Sequence, residues 1–131
     1  MKRLGFALSA VIVAGAACAA PPPIDLARGE ILYRQCFACH ALEPDANTPA
    51  GPTLSGIVGR RIASEQGFDY SPALRRLAGE QPRWSPELLD RFLQDPEAVA
   101  PGTEMGFPGL TAEEDRDALI GWLATGSGRR P

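Results

Sequence analysis

Apolar positions recur with a helical period in only a few short stretches of the chain, and each stretch is bounded by a start or stop signal. Asp25 can cap a helix predicted over 26–38, with Leu26, Gly29, Leu32 and Tyr33 on one side. Ser71-Pro72 and Ser85-Pro86 each set a capping hydroxyl before a proline at the first helical position. They start helices predicted over 72–78 and 86–94. Asp95-Pro96 ends the second of these and caps a further single turn over 96–100, which Pro101-Gly102 breaks. Thr111-Ala112-Glu113-Glu114 reads as a capping box that opens a last helix over 112–124. Leu119, Ile120, Trp122 and Leu123 give that helix its apolar stripe, and Gly126 stops it. There is no alternating strand pattern of useful length and no internal repeat. The fold class is therefore all-α, built from three to five short helices and long loops.

The loops carry as much information as the helices. Residues 41–69 contain Pro44, Pro49, Gly51, Pro52, Gly56, Gly59 and Gly67, and read as one long structured loop. A loop of that length is unusual in a compact domain unless it has something to wrap. The helices are also too short and few to build a good core. A chain of roughly 110 residues buries only about two-thirds of its surface. A large apolar cofactor would supply the missing interior.

The N-terminus follows another pattern. Lys2 and Arg3 precede an apolar run, Leu4 to Ala17, that ends in small residues, as in an export signal. The run is shorter than the roughly 20 residues that a membrane-spanning helix needs. Ala17-Cys18-Ala19 fits the A-x-A cleavage rule, which starts the mature chain near Ala20. Lipidation at Cys18 and an uncleaved signal are the two other readings, and only they attach the chain to a membrane. All three carry the fold out of the cytoplasm, into the periplasm. The chain divides into a signal at 1–19, a Pro-rich spacer at 20–24, a domain at 25–126 and a tail at 127–131.

Charge narrows the partners. Lys2 is the only lysine, so the mature chain sets eleven arginines against sixteen acidic residues, a net −5. Nucleic acid is excluded as a partner, because phosphate binding draws on clustered positive charge.

Cys36-Phe37-Ala38-Cys39-His40 is a C-x-x-C-H motif. The two thiols have the spacing that adds across the vinyl groups of haem, and the adjacent imidazole then lies under the iron. His40 is the only histidine in the chain. A redox disulfide would expect a βαβ setting, and a zinc site would need a second Cys or His pair. Neither is present. Met105 is the only methionine after the signal, and it stands in Pro101-Gly102-Thr103-Glu104-Met105. A lone methionine usually fills a gap in a core. This one sits among Pro and Gly, off any apolar stripe, which favours a sixth iron ligand. A soft thioether stabilises the ferrous state and raises the potential. His40 and Met105 together would close the iron to substrate.

From Leu26 to Thr125 the chain resembles the class I cytochromes c, the soluble bacterial and mitochondrial mono-haem type. Beyond Cys36–His40 and Met105, the resemblance rests on Gly51-Pro52-Thr53-Leu54-Ser55-Gly56, Gly59-Arg60, Gly67-Phe68-Asp69-Tyr70-Ser71, Trp84, Phe107 and Asp117–Leu123. It implies a compact fold wrapped around one covalent haem c. It also implies roles for particular residues. The Pro52 carbonyl would accept the other ring proton of His40. Tyr70 and Trp84 would bond the inner haem propionate, Arg60 would neutralise it, and Thr103 would lie beside it. Phe107 would cover the haem face near Met105. Gly29 and Tyr33 would cross Leu119 and Trp122.

The chain also departs from the family. The Tyr70–Trp84 segment is about three residues longer than in the mitochondrial form. Leu74 stands nearest the family's buried asparagine, and Phe92 replaces its tyrosine near the axial sulfur. Glu97 and Glu104 take positions where the mitochondrial family has lysines. The resemblance implies a monomeric periplasmic electron carrier, not an enzyme. It would serve a membrane or periplasmic reductase and oxidase, with no small-molecule substrate. The alternative is a haem subunit of a larger dehydrogenase or oxidase complex. A gas sensor or peroxidase would need an open sixth position.

Overall fold

The first and last helices of the domain pack against each other, and the rest of the chain is strung between them. The structure is a computed structural model that describes residues 20–126, so the signal at 1–19 and the tail at 127–131 lie outside the described residues. Five helices follow in order: α1 (Leu26–Tyr33), α2 (Pro72–Glu80), α3 (Pro86–Gln94), α4 (Pro96–Val99) and α5 (Glu113–Ala124). α1 packs on α5, and α3 packs on both α5 and α4. Among the described residues there is no β-strand, only an isolated bridge between Arg61 and Arg83.

Most helix starts are local and follow the sequence. Asp25 accepts the amide of Arg28 at 3.0 Å, Ser71 that of Leu74 at 3.3 Å, Ser85 that of Leu88 at 3.1 Å and Asp95 that of Ala98 at 3.0 Å. Each satisfies one of the amides left over at a helix N-terminus. The expected capping box at Thr111 does not form. α5 begins one residue later, with Ala112 at the cap and no side-chain capping bond. Arg116 takes the carbonyls of Leu110 and Thr111 at 2.9 and 3.0 Å, and Glu113, Glu114 and Asp115 set negative charge in the first turn.

Two helix ends also differ from expectation. α1 stops at Tyr33 rather than 38, and the chain continues in tight turns to Cys39. In that stretch the amide of Cys36 donates to Tyr33 O at 2.7 Å, and that of His40 to Cys36 O at 2.9 Å. The Tyr33 hydroxyl donates to the His40 carbonyl at 2.6 Å, folding the segment back on the helix. α2 runs to Glu80, two residues beyond the predicted end, passing Gly79 without a break.

The α1–α5 contact needs Gly29. A Cβ there would strike the carbonyl of Ala118 and lie 2.5 Å from Trp122 Cβ. Beside it the rings of Tyr33 and Trp122 meet at 5.2 Å, and Arg28 pairs with Asp115. Leu119, Ile120, Trp122 and Leu123 are buried as their stripe predicts, and join Leu88, Leu89, Phe92 and Leu93 of α3. Arg116 is 5% exposed and is held by Asp90 at 2.6 Å, which ties α5 to α3 with a buried charge.

Overpacking a tight core contact costs typically 1–3 kcal/mol. Gly29→Ala is therefore expected to lower the unfolding free energy by about 2–3 kcal/mol. Denaturant unfolding of the two proteins under identical conditions measures it.

Candidate haem site

One cavity of about 700 Å³ lies inside the wrap of loops. Cys36, His40, Pro52, Arg60, Tyr70, Trp84, Thr103 and Met105 all line it. These positions span some seventy residues of sequence, so only the fold brings them together. Leu54, Ile57, Leu89, Leu93 and Leu119 make much of the remaining wall apolar.

His40 is set by its neighbours. Its Nδ1–H donates to the Pro52 carbonyl at 2.7 Å, which leaves the Nε2 lone pair free to face the cavity. Burial holds the imidazole pKa below its ordinary value; the Pro52 bond opposes this and Arg60 adds to it. Gly51 leaves the room that the ring needs. A Cβ at that position would fall 2.6 Å from His40 Cε1 and 2.8 Å from Cys39 O. Thr48 braces the same corner, donating to Cys39 O at 2.7 Å.

Both motif cysteines are free thiols, but their surroundings differ. Cys36 lines the cavity, and burial with Cys39 nearby pushes its thiol up to about 11. Cys39 is exposed and stands outside the cavity wall.

Met105 is carried by the loop after α4. Pro101 and Gly102 make the turn, and Gly102 takes a φ of +85° that side chains rarely tolerate. The Gly102 amide donates to Glu97 Oε1 at 2.9 Å, and Arg76 of α2 donates to the Pro101 carbonyl at 3.0 Å. Thr103 Oγ1 accepts the amide of Met105 at 3.3 Å. Thus Glu97 is engaged in holding the loop and is not simply a solvated surface charge. Phe107 packs against the core, but it is not part of the cavity wall.

An antiparallel crossing joins the far side. Trp84 N donates to Arg60 O at 2.9 Å and Gly59 N to Trp84 O at 2.7 Å, which sets Arg60 and Trp84 side by side. The rings of Trp84 and Phe92 meet at a tilt of 60°, with centroids 4.9 Å apart. Arg60 donates to the carbonyls of Thr53 and Ser55, each at 2.9 Å, and pairs with Glu65 at 2.8 Å. Its Nε is buried without a partner among the described residues. A buried donor at a cavity wall fits an acidic group inside it. Burial raises the Tyr70 pKa, so its hydroxyl stays protonated and able to donate.

Glu65, Asn47 and Arg76 have no signature in the sequence. Asn47 donates to Gln66 O at 2.7 Å and accepts the amide of Thr53 at 3.0 Å, joining two stretches of the long loop. Its pairing of a loop turn with a distant backbone could be found only in the folded chain.

The donor set suits haem. It combines a neutral imidazole, a thioether, two thiols at the attachment spacing, an unpaired guanidinium N–H and apolar walls. Comparison with known proteins agrees. No protein-family model matches the chain. Cytochrome c2 of Rhodomicrobium vannielii is 36% identical over 131 residues, covering 98% of this chain and 100% of that protein. Cytochrome c2 of Agrobacterium tumefaciens is 36% identical over 107 residues, covering 82% and 96%. Cytochrome cH from Methylobacterium extorquens has a similar structure, with a TM-score of 0.69 at 36% identity over 77% of this chain and 98% of that one. Cytochrome c2 from Rhodospirillum centenum gives 0.70 at 31% identity, over 77% and 97%. The chain belongs to the class I cytochrome c family. It is an electron carrier rather than an enzyme, with one covalently bound haem c.

Gly51→Ala is expected to displace the His40 ring and break its bond to Pro52. Loss of the slowly exchanging ring N–H proton from the NMR spectrum of the haem-loaded protein measures this, together with a lower Tm.

Proposed function

We propose that the chain is a periplasmic one-electron carrier whose haem iron is held by His40 and Met105. The observation that carries this is the convergence of Cys36, His40, Arg60 and Met105 on one cavity of about 700 Å³. The haem, when bound, supplies an iron that cycles between ferric and ferrous states. The protein's own part is to orient and to exclude. Pro52 fixes the His40 tautomer with Nε2 unprotonated. The clasp of Glu97 and Arg76 on the Pro101-Gly102 turn holds Met105 in place. The apolar wall keeps water from the iron, so a charge change there meets little solvent rearrangement. Cys36 and Cys39 anchor the haem covalently. Tyr70, Trp84 and Thr103 line the part of the wall nearest Arg60 in role, where the propionate belongs. Phe107 acts behind the wall, as packing for the Met105 loop.

Export follows from the signal at 1–19, with the domain at 25–126 as the mature fold. Among the described residues no helix is long and apolar enough to cross a membrane. The partners are other redox proteins.

Met105→Ala is expected to abolish the sulfur-to-iron charge-transfer absorption of the oxidised protein, lower its potential and open the iron to added ligands. Optical spectra and potentiometry measure this; an unchanged spectrum and potential would remove Met105 from the site.

Replacing both Cys36 and Cys39 with Ala, with haem maturation machinery present, is expected to yield no compact protein that retains haem through denaturing chromatography.

The mature net charge of −5 and the exposed Glu104 beside Met105 favour a partner with a basic or largely apolar docking face. Electron transfer to a basic partner is expected to slow as salt is added, since screening acts over about 8–10 Å at physiological ionic strength. Stopped-flow rates across a salt series measure this, and rates that climb with salt would overturn it.

A further inference from the structure

Arg60 is more than a lone cation beside the cavity. Its Nη1 donates to Ser55 O at 2.9 Å and pairs with Glu65 Oε1 at 2.8 Å, while Nη2 donates to Thr53 O at 2.9 Å. Its Nε is buried and unpartnered among the described residues. Both members of the ion pair are largely withdrawn from water, at 14% and 16% side-chain exposure. Glu65 is itself fixed from the cavity side, because its amide donates to the Tyr70 hydroxyl at 3.3 Å. The pair is therefore ordered and poorly screened, unlike the surface pair of Asp69 with Arg75, whose acid is 98% exposed.

From this geometry we infer that Glu65 is a potential-setting residue that holds the reduction potential of the haem down. The inference rests on the proposed placement of the haem's acidic edge beside Arg60. Ferric haem carries one more positive charge than ferrous haem. A fixed negative charge in a weakly polarisable wall favours the ferric form, and a fixed positive charge favours the ferrous form. Arg60 alone would favour the ferrous form. Glu65 offsets that charge at 2.8 Å, so the cavity meets a neutral pair instead of a bare cation. Arg60 keeps its Nε–H for the acidic group but loses most of its long-range pull on the iron's charge.

The test is potentiometry on the haem-loaded protein at neutral pH and fixed ionic strength. Glu65→Gln keeps the shape and removes the charge. Its potential is expected to move upward, and the ratio of reduced to oxidised protein at a fixed solution potential to rise several-fold. The sulfur-to-iron absorption should stay, and Glu65→Asp should return the potential toward that of the parent. Should E65Q fail to accumulate, Glu65→Ser carries the same expectation, with water free to enter at the partly exposed carboxylate position. An E65Q or E65S potential equal to the parent's or below it, with the sulfur-to-iron absorption intact, overturns the inference. Failure of the ligation reading shows separately: the parent protein would then lack that absorption, whatever Glu65 does.

Discussion

A chain of this size that encloses a cavity of about 700 Å³ must satisfy one constraint before any other: the cavity has to be filled. Apolar wall left in contact with water forfeits roughly 25 cal/mol per Å² of stabilisation, so a cavity lined by Leu54, Ile57, Leu89, Leu93 and Leu119 is a large loss until something covers it. Whole domains are stable by only about 5–15 kcal/mol. The rest of the fold can be understood from that imbalance. Leu89, Phe92 and Leu93 of α3 and Leu119 and Leu123 of α5 face the cavity, and the long loop at 41–69 forms wall where a larger protein would have helices.

The electrostatics of the wall follow the same division of labour. The groups proposed to hold the iron are neutral or soft: the His40 imidazole, whose pKa burial lowers, and the Met105 thioether. The one cation in the cavity wall, Arg60, is paired with Glu65. Arg116 and Asp90 repeat the arrangement between α5 and α3. A pair that is satisfied by backbone carbonyls as well as by its partner escapes the penalty of an isolated buried charge.

What could be read in the sequence was whatever is encoded within a few residues. Four of the five helix starts carry their cap in the chain itself, and the C-x-x-C-H spacing defines its own chemistry. Met105 was legible because it is alone and stands among helix breakers. The misses lie in side-chain contacts that periodicity does not encode. Thr111 has every local feature of a cap, yet the Arg116 side chain, one turn into the helix, takes its carbonyl and the helix starts a residue later. The end of α1 is set by the Tyr33 hydroxyl reaching the His40 carbonyl, seven residues on, a contact that periodicity does not encode. The resemblance named Pro52, Arg60, Tyr70, Trp84 and Thr103, which line the cavity, and Phe107, which packs against the core beside it. Glu65 and Arg76 matter through partners that the fold, not the spacing, brings near.

The packing of α1 on α5 has a consequence for how the protein is made. Its two halves lie at opposite ends of the described chain, so the contact at Gly29 cannot form until α5 has left the ribosome. Contacts of such large sequence separation close late and slowly. Until then α1 lacks the α5 surface that it packs against in the complete fold. Late closure suits the proposed export, since an unfolded chain passes a narrow pore and keeps Cys36 and Cys39 within reach for haem attachment.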